Sequence, residues 1–211
     1  MFKRISTNKF QAIKTKLSNL STTYFCDVCP TIRIMNGQIR AIDSTLKLIG
    51  QAYTVVAGGD INAVLKAIHH AEVDDAIVVV DSEDNCSALG GEIFATLGKR
   101  KKLAGIVLDG ACRDLNGIKL AGLPYYAKSV YPRVNRAPGK GKWQGKINCG
   151  GIVVNPYDIV FADDSGIIVL SEQEFEELLP KAEAILEKEK EIFQKIKDGL
   201  SIPEIFSHVV F

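Results

Sequence analysis

The residues with the most chemical potential lie in two short runs. Asp109-Gly110-Ala111-Cys112-Arg113-Asp114 sets a guanidinium beside a carboxylate directly after an apolar stretch. Arg113 suits a carbonyl or carboxylate oxygen, because its planar fork donates several hydrogen bonds at once. Asp114 suits a hard cation, which takes oxygen ligands. As chain neighbours, the two charges are expected to point different ways. The same pair also fits a plainer arrangement, a helix-capping Asp next to a surface Arg. The second run, Ser87-Ala88-Leu89-Gly90-Gly91-Glu92-Ile93-Phe94, starts a helical pattern with two glycines. A helix start leaves backbone N–H groups unpaired at the positive end of its dipole, where a carboxylate or phosphate can sit, although Gly-Gly also serves tight packing. A third candidate lies near the C-terminus. Phe175, Leu178, Ala182, Ile185, Ile192 and Ile196 make an apolar stripe at helical spacing, and Glu189 fills its one polar slot. A carboxylate there needs a cation or a metal shell across an interface, unless the stripe edge is exposed.

Other chemistries find little support. Gly139-Lys140-Gly141-Lys142 lacks the spacing of a phosphate-binding P-loop, and no GxGxxG, GxSxG or HExxH occurs. His69 and His70 are neighbours on a helical pattern and cannot both chelate one metal well. Cys26-Asp27-Val28-Cys29 is a single CxxC with no second thiolate or histidine pair at zinc spacing. It falls in a segment that reads as helix, not at the strand-to-helix junction of a redox site. The five cysteines (Cys26, Cys29, Cys86, Cys112, Cys149) are odd in number. Met1-Phe2-Lys3-Arg4-Ile5 leads into no apolar segment, so a reduced, cytoplasmic protein is expected.

The positioning elements follow from periodicity and punctuation. Helices are expected over 6–20 and, behind a Ser21-Thr22 cap, to Val28. Strands are expected at 32–34, 39–42 and 48–56, with Asn36-Gly37 as a hairpin-type turn between the first two. Asp60 caps a helix of residues 61–71 with Ile61, Val64, Leu65 and Ile68 as its stripe. Ala76–Val80 and Gly105–Leu108 are continuous apolar runs that suit buried strands, the second ending at Asp109-Gly110. Helices over 91–100 and 114–121 follow them. Strands are expected at 124–127, 150–154 and 166–170, with a basic loop over 131–146. The capping box Ser171-Glu172-Gln173-Glu174 opens a C-terminal helix that runs to 198, kinked at Pro180. In such a β–α succession, ligands collect at the carboxyl ends of the strands, where both chemical runs fall.

The chain has 211 residues, enough to bury roughly 70% of its unfolded surface without metal or disulfide staples. No run of about 18 apolar residues exists, so no membrane span is expected. The net charge of +1 conceals segments of +10 over 99–146 and −8 over 147–211. The balance gives no overall field for nucleic acid, while the basic segment suits a small anion or an acidic surface packed against it.

Glu92, then twenty residues, then Arg113-Asp114, with Asp109-Gly110 just before, resembles the acidic-x20-R-D signature of the RraA-like family. That family includes class II 4-hydroxy-4-methyl-2-oxoglutarate aldolases, oxaloacetate decarboxylases and regulators of RNase E activity. Leu17–Asp27 resembles its N-terminal helix. Leu48–Val56 resembles its "GpAvTV" strand, with Gln51 at the usual Pro. Cys149–Asp158 resembles "CGGvvVxPGD", with Tyr157 at the Gly, and Asp163-Asp164-Ser165-Gly166 resembles "DDdG".

The resemblance implies a single-domain α/β chain over 1–211 with the swivelling β/β/α fold. The core would span about 32–170, with helical segments at about 6–28 and 172–198. It further implies homotrimers or hexamers with sites between subunits. The implied activity is a lyase reaction on small 2-oxo acids through a pyruvate enolate, either retro-aldol cleavage or oxaloacetate decarboxylation. Mg²⁺, Mn²⁺ or another divalent metal would be required. The implied substrate carboxylate sits on Gly91, Glu92, Ile93 and Phe94, and its keto oxygen on Arg113. Asp114 would ligate the metal, with Glu92 and the Glu189 of a neighbouring subunit acting through water. A protein-binding regulator with little or no catalysis is the alternative the family offers.

Overall fold

The structure is a computed structural model that describes residues 2–81, 87–134, 141–207 and 209. Cys86, His208 and positions 135–140 of the basic loop lie outside the described residues. The chain runs α1 (Thr7–Ser18), α2 (Thr22–Val28), β1 (Arg33–Ile34), β2 (Arg40–Ala41), β3 (Leu48–Val56), α3 (Ile61–His70) and β4 (Asp75–Val80). It continues through α4 (Glu92–Arg100), β5 (Gly105–Cys112), α5 (Leu115–Ala121), β6 (Tyr125–Val130), β7 (Lys142–Trp143), β8 (Ile147–Cys149) and β9 (Ile152–Val154). The last elements are β10 (Ile159–Ala162), β11 (Ile167–Leu170), α6 (Glu172–Lys197) and α7 (Ile202–Ile205).

Strands β3, β4, β5 and β6 are neighbours and pair in parallel. Parallel strands need crossovers, which α3, α4 and α5 supply. The antiparallel strands β10, β11 and β1 extend one edge, β2 closes the other, and β7 pairs with part of β3. The two faces alternate along each strand. Ile77, Val79, Ile106 and Leu108 join Val64, Ile68, Phe94 and Ile118 on the helix side. Ala76, Val78 and Val107 join Ile147, Cys149 and Val154 of the β8–β9 hairpin on the other. The layering is hairpin, large sheet, helices, which is the β/β/α order the resemblance implies. Buried on both faces, β4 and β5 carry the near-continuous apolar runs seen in the sequence. A further cluster packs Phe10, Leu17, Phe25, Phe175 and Leu178 of α1, α2 and α6 over β10 and β11.

Several expectations are corrected. The Asn36 turn forms, with the Ile39 N–H donating to the Asn36 carbonyl at 3.0 Å. The strands it joins do not pair, because β1 takes the free edge of β11 and β2 that of β6. The strand β5 does not end at Asp109-Gly110 but continues to Cys112, past an irregularity between Leu108 and Ala111. The basic loop contains β7, and the short strands β8 and β10 had no periodicity long enough to mark them. The C-terminal helix forms as expected, as α6 of 26 residues with Pro180 inside it. No helix among the described residues is long and apolar enough to cross a membrane.

Candidate active site

The two chemical runs are stitched together at the carboxyl end of the parallel strands. Ala88 bridges Ala111 in parallel, the Leu89 N–H donates to the Ala111 carbonyl at 2.9 Å, and the Arg113 N–H donates to the Gly90 carbonyl at 3.1 Å. The segment before α4 thereby becomes a short extra rung beside the end of β5. Together with the pairing of Ala111 and Cys112 to Ser129 and Val130 of β6, it carries β5 past its apolar run.

The rung ends in two glycines whose missing side chains are required sterically. A Cβ on Gly90 would stand 2.3 Å from the Tyr125 hydroxyl, and one on Gly91 would stand 2.9 Å from Asp114 Oδ2 and 3.0 Å from the Arg113 carbonyl. Gly91 then caps α4 with an extended backbone and no side chain. Among the described residues, nothing accepts from the N–H groups of Gly90, Gly91, Glu92 or Ile93. Gly90, Gly91 and Ile93 line a cavity of about 310 Å³ that Arg113 and Asp114 also line. Free N–H groups, a helix dipole and a guanidinium thus share one concavity, an arrangement that favours an anion.

Arg113 and Asp114 do not point different ways. Arg113 Nε lies 3.4 Å from Asp114 Oδ2, with both side chains about half exposed. The cause is the backbone: Asp114 is left-handed, at φ 58° and ψ 47°, which folds its side chain back toward its neighbour. Asp114 occupies the cap position of α5 yet makes no capping hydrogen bond, so its carboxylate is left for the cavity. A non-glycine residue held in this region marks a functional constraint more often than chance.

Glu92 does not line the cavity. Its carboxylate rests on α5, in the space a side chain at Gly117 would fill, 2.3 Å from that position. Gly117 lies one turn beyond Asp114, so the two carboxylates flank the first turn of α5. Phe94 and Ile93 complete the α4 side of the cavity. Glu189 is not among its lining residues. It sits on α6, where Tyr24 of α2 donates to its Oε2 at 2.8 Å. That hydrogen bond pushes the Tyr24 hydroxyl up to about 12.

The structure adds residues the sequence reading had assigned elsewhere. Ile61, Asn62 and Leu65 of α3 and Val134 line the same cavity. Leu65 had been placed in the buried stripe of α3, but Ala63, Val64, Ala67 and Ile68 are the buried set and Leu65 is 40% exposed. Asp109 serves the fold instead, accepting from the Gly150 N–H at 2.8 Å and facing Lys128 at 3.2 Å. Burial raises the thiols of Cys26 and Cys149 and pushes that of Cys112 up to about 11.

Among the described residues, no three His, Cys, Asp or Glu side chains converge to hold a metal ion. The donors at hand are the carboxylate of Asp114, a hard oxygen at the cavity, and that of Glu92 on the far side of the first turn of α5. Magnesium or manganese fits such a set, because these ions keep several waters and need only one or two carboxylates.

The chain is similar to several known proteins. A provisionally named 4-hydroxy-4-methyl-2-oxoglutarate aldolase of Halalkalibacterium halodurans is 30% identical over 170 residues, covering 80% of each chain. A solved structure of an uncharacterised Pseudomonas syringae protein shares the fold at a TM-score of 0.82 and 20% identity, over 97% of this chain and 99% of its own. The RNA-processing inhibitor RraA of Thermus thermophilus shares it at a TM-score of 0.67 and 23% identity, over 72% of this chain and 93% of its own. The Aldolase/RraA family model matches residues 22–169, a stretch that includes both stitched runs and every strand of the parallel core, and on that match the chain belongs to the RraA-like family.

Proposed function

We propose that the chain is a divalent-metal-dependent carbon–carbon lyase acting on small 2-oxo acids, by retro-aldol cleavage, oxaloacetate decarboxylation or both. The observation that carries this reading is the shared cavity: the N–H groups of Gly90, Gly91 and Ile93, unaccepted among the described residues, Arg113, and an Asp114 carboxylate released from capping. In this reading the N–H groups hold the substrate carboxylate, and Arg113 holds the 2-oxo oxygen. Cleavage sends an electron pair onto that oxygen, and a fixed cation beside it stabilises the developing enolate. Asp114 would hold the metal, assisted through water by Glu92 and by Glu189 of a neighbouring subunit. Mg²⁺ or Mn²⁺, when bound, supplies Lewis-acid polarisation of the substrate oxygen. Glu92 would take or return a proton through water. The relative named as an aldolase supports the class of reaction.

A second reading is a protein-binding regulator. Its support is the exposed apolar set on distal α6 and beyond, Phe193, Ile196, Leu200 and Ile202, together with the fold shared with an RNA-processing inhibitor. Pyruvate release from oxaloacetate and from 4-hydroxy-4-methyl-2-oxoglutarate, with Mg²⁺ and with EDTA, separates the two. The lyase reading expects turnover that EDTA abolishes. Absence of metal-dependent turnover on any 2-oxo acid tried would favour the regulator.

A further inference from the structure

The cavity is asymmetric in a way that bears on the far end of the substrate. One side is polar and cationic, built by Gly90, Gly91 and Arg113. The part of the lining that α3 supplies is uncharged: Ile61 and Leu65, four residues apart on one helix face, with Asn62 between them. Ile93, Phe94 and Val134 continue the apolar lining. Leu65 is 40% and Ile93 67% exposed, so large aliphatic side chains stand uncovered around the mouth. Among the described residues that line the cavity, Arg113 is the sole cation, and Asp114 already lies 3.4 Å from it. Among the described residues of one chain, a second carboxylate at the far end of a substrate would meet aliphatic carbon with no partner, an unfavourable burial of charge. An aliphatic group there would instead bury against Ile61 and Leu65. The Asn62 carboxamide can hydrogen-bond a hydroxyl without adding charge.

Resting on the lyase reading above, we infer that this site takes 4-hydroxy-2-oxo acids whose 4-substituent is uncharged and aliphatic, and that α3 selects it. The reaction balances without an external oxidant or reductant. The C3–C4 bond breaks, and its electron pair forms the enolate of pyruvate. The C4 hydroxyl gives up its proton and becomes an aldehyde carbonyl, and C3 takes a proton to complete pyruvate.

The test compares pyruvate release from 4-hydroxy-2-oxopentanoate, 4-hydroxy-2-oxohexanoate and 4-hydroxy-4-methyl-2-oxoglutarate by the full chain with Mg²⁺. The aliphatic substrates should be favoured by about tenfold or more in kcat/KM, the scale on which an apolar pocket discriminates. Leu65→Arg, at a part-exposed position that tolerates a long side chain, should reverse that order by supplying the missing cation. Equal or better turnover of the dicarboxylate by the wild type, or an unchanged ratio in Leu65→Arg, overturns the inference while leaving the lyase reading intact. Oxaloacetate decarboxylation without cleavage of any hydroxy acid does the same. No pyruvate from any of the four acids overturns both.

Discussion

Arg113 and Asp114 illustrate how a residue's role depends on backbone geometry that its type does not reveal. Their adjacency suggested divergent charges, but the left-handed φ at Asp114 brings the two side chains together. The residue types were legible because Arg and Asp at a strand end are chemically specific; the convergence was not, because nothing in the sequence forces a non-glycine residue into that conformation. If Arg113 stabilises a developing oxyanion, Arg113→Ala should lower kcat by about 10²–10³, the usual cost of removing one such donor. Arg113→Lys, which keeps charge but loses the planar fork, should recover only part of it. Steady-state pyruvate release measures both, and an Arg113→Ala enzyme with unaltered kcat would remove Arg113 from the chemistry. Tyr125 poses a different question. Its hydroxyl is fully buried beneath Gly90 and has no hydrogen-bond partner among the described residues, a state that costs about 1–3 kcal/mol. Tyr125→Phe should therefore be neutral or stabilising in urea unfolding. A loss of more than about 1 kcal/mol would mean that the hydroxyl has a bonding partner in solution.

The helix α5 is short, and its glycine is the informative position. Gly in a helix interior is worse than Ala by about 0.8–1.0 kcal/mol, so its presence at Gly117 calls for a reason. The reason on view is the Glu92 carboxylate, which occupies the space a Cβ would need. Gly117→Ala should displace that carboxylate, an end that can rotate away, while improving the propensity of α5. The expected outcome is a variant with equal or higher thermal stability and lower turnover, read by melting and pyruvate release. Lower stability with full turnover would show that Gly117 serves packing alone. At this scale the sequence was most readable where elements are long or capped. The Asp60 side chain does accept from the Asn62 N–H at 2.9 Å, and the Ser171–Glu174 capping box is closed in both directions. It was least readable where tertiary pairing makes the strand. The two-residue strands β1 and β7 exist only because longer neighbours offer an edge, and β5 extends to Cys112 because Ala111 and Cys112 pair with Ser129 and Val130 of β6, with the rung at Ala88 on the other side.

For the whole molecule, the position of Glu189 decides whether one chain suffices. The sequence flagged it as a carboxylate inside an apolar stripe, and the structure divides that stripe. Phe175, Leu178 and Ala182 are buried against the sheet, whereas Phe193 and Ile196 are exposed at 58% and 51%. The helix α6 therefore carries its apolar face beyond the body it packs on, with Glu189 on the stretch between and held by Tyr24 at 2.8 Å. A closed homo-oligomer repeats one interface, so a residue absent from its own site can complete the next one. If Glu189 completes a neighbour's cavity, Glu189→Ala and Arg113→Ala chains should each be impaired alone. Co-expressed in equal amounts, random mixing leaves about a quarter of such shared sites with both residues intact, so activity should return to about that fraction of wild type. Mixed oligomers that stay as inactive as their parents would confine Glu189 to the α2–α6 contact, and the net segment charges of +10 and −8 would then balance within each chain instead of between chains.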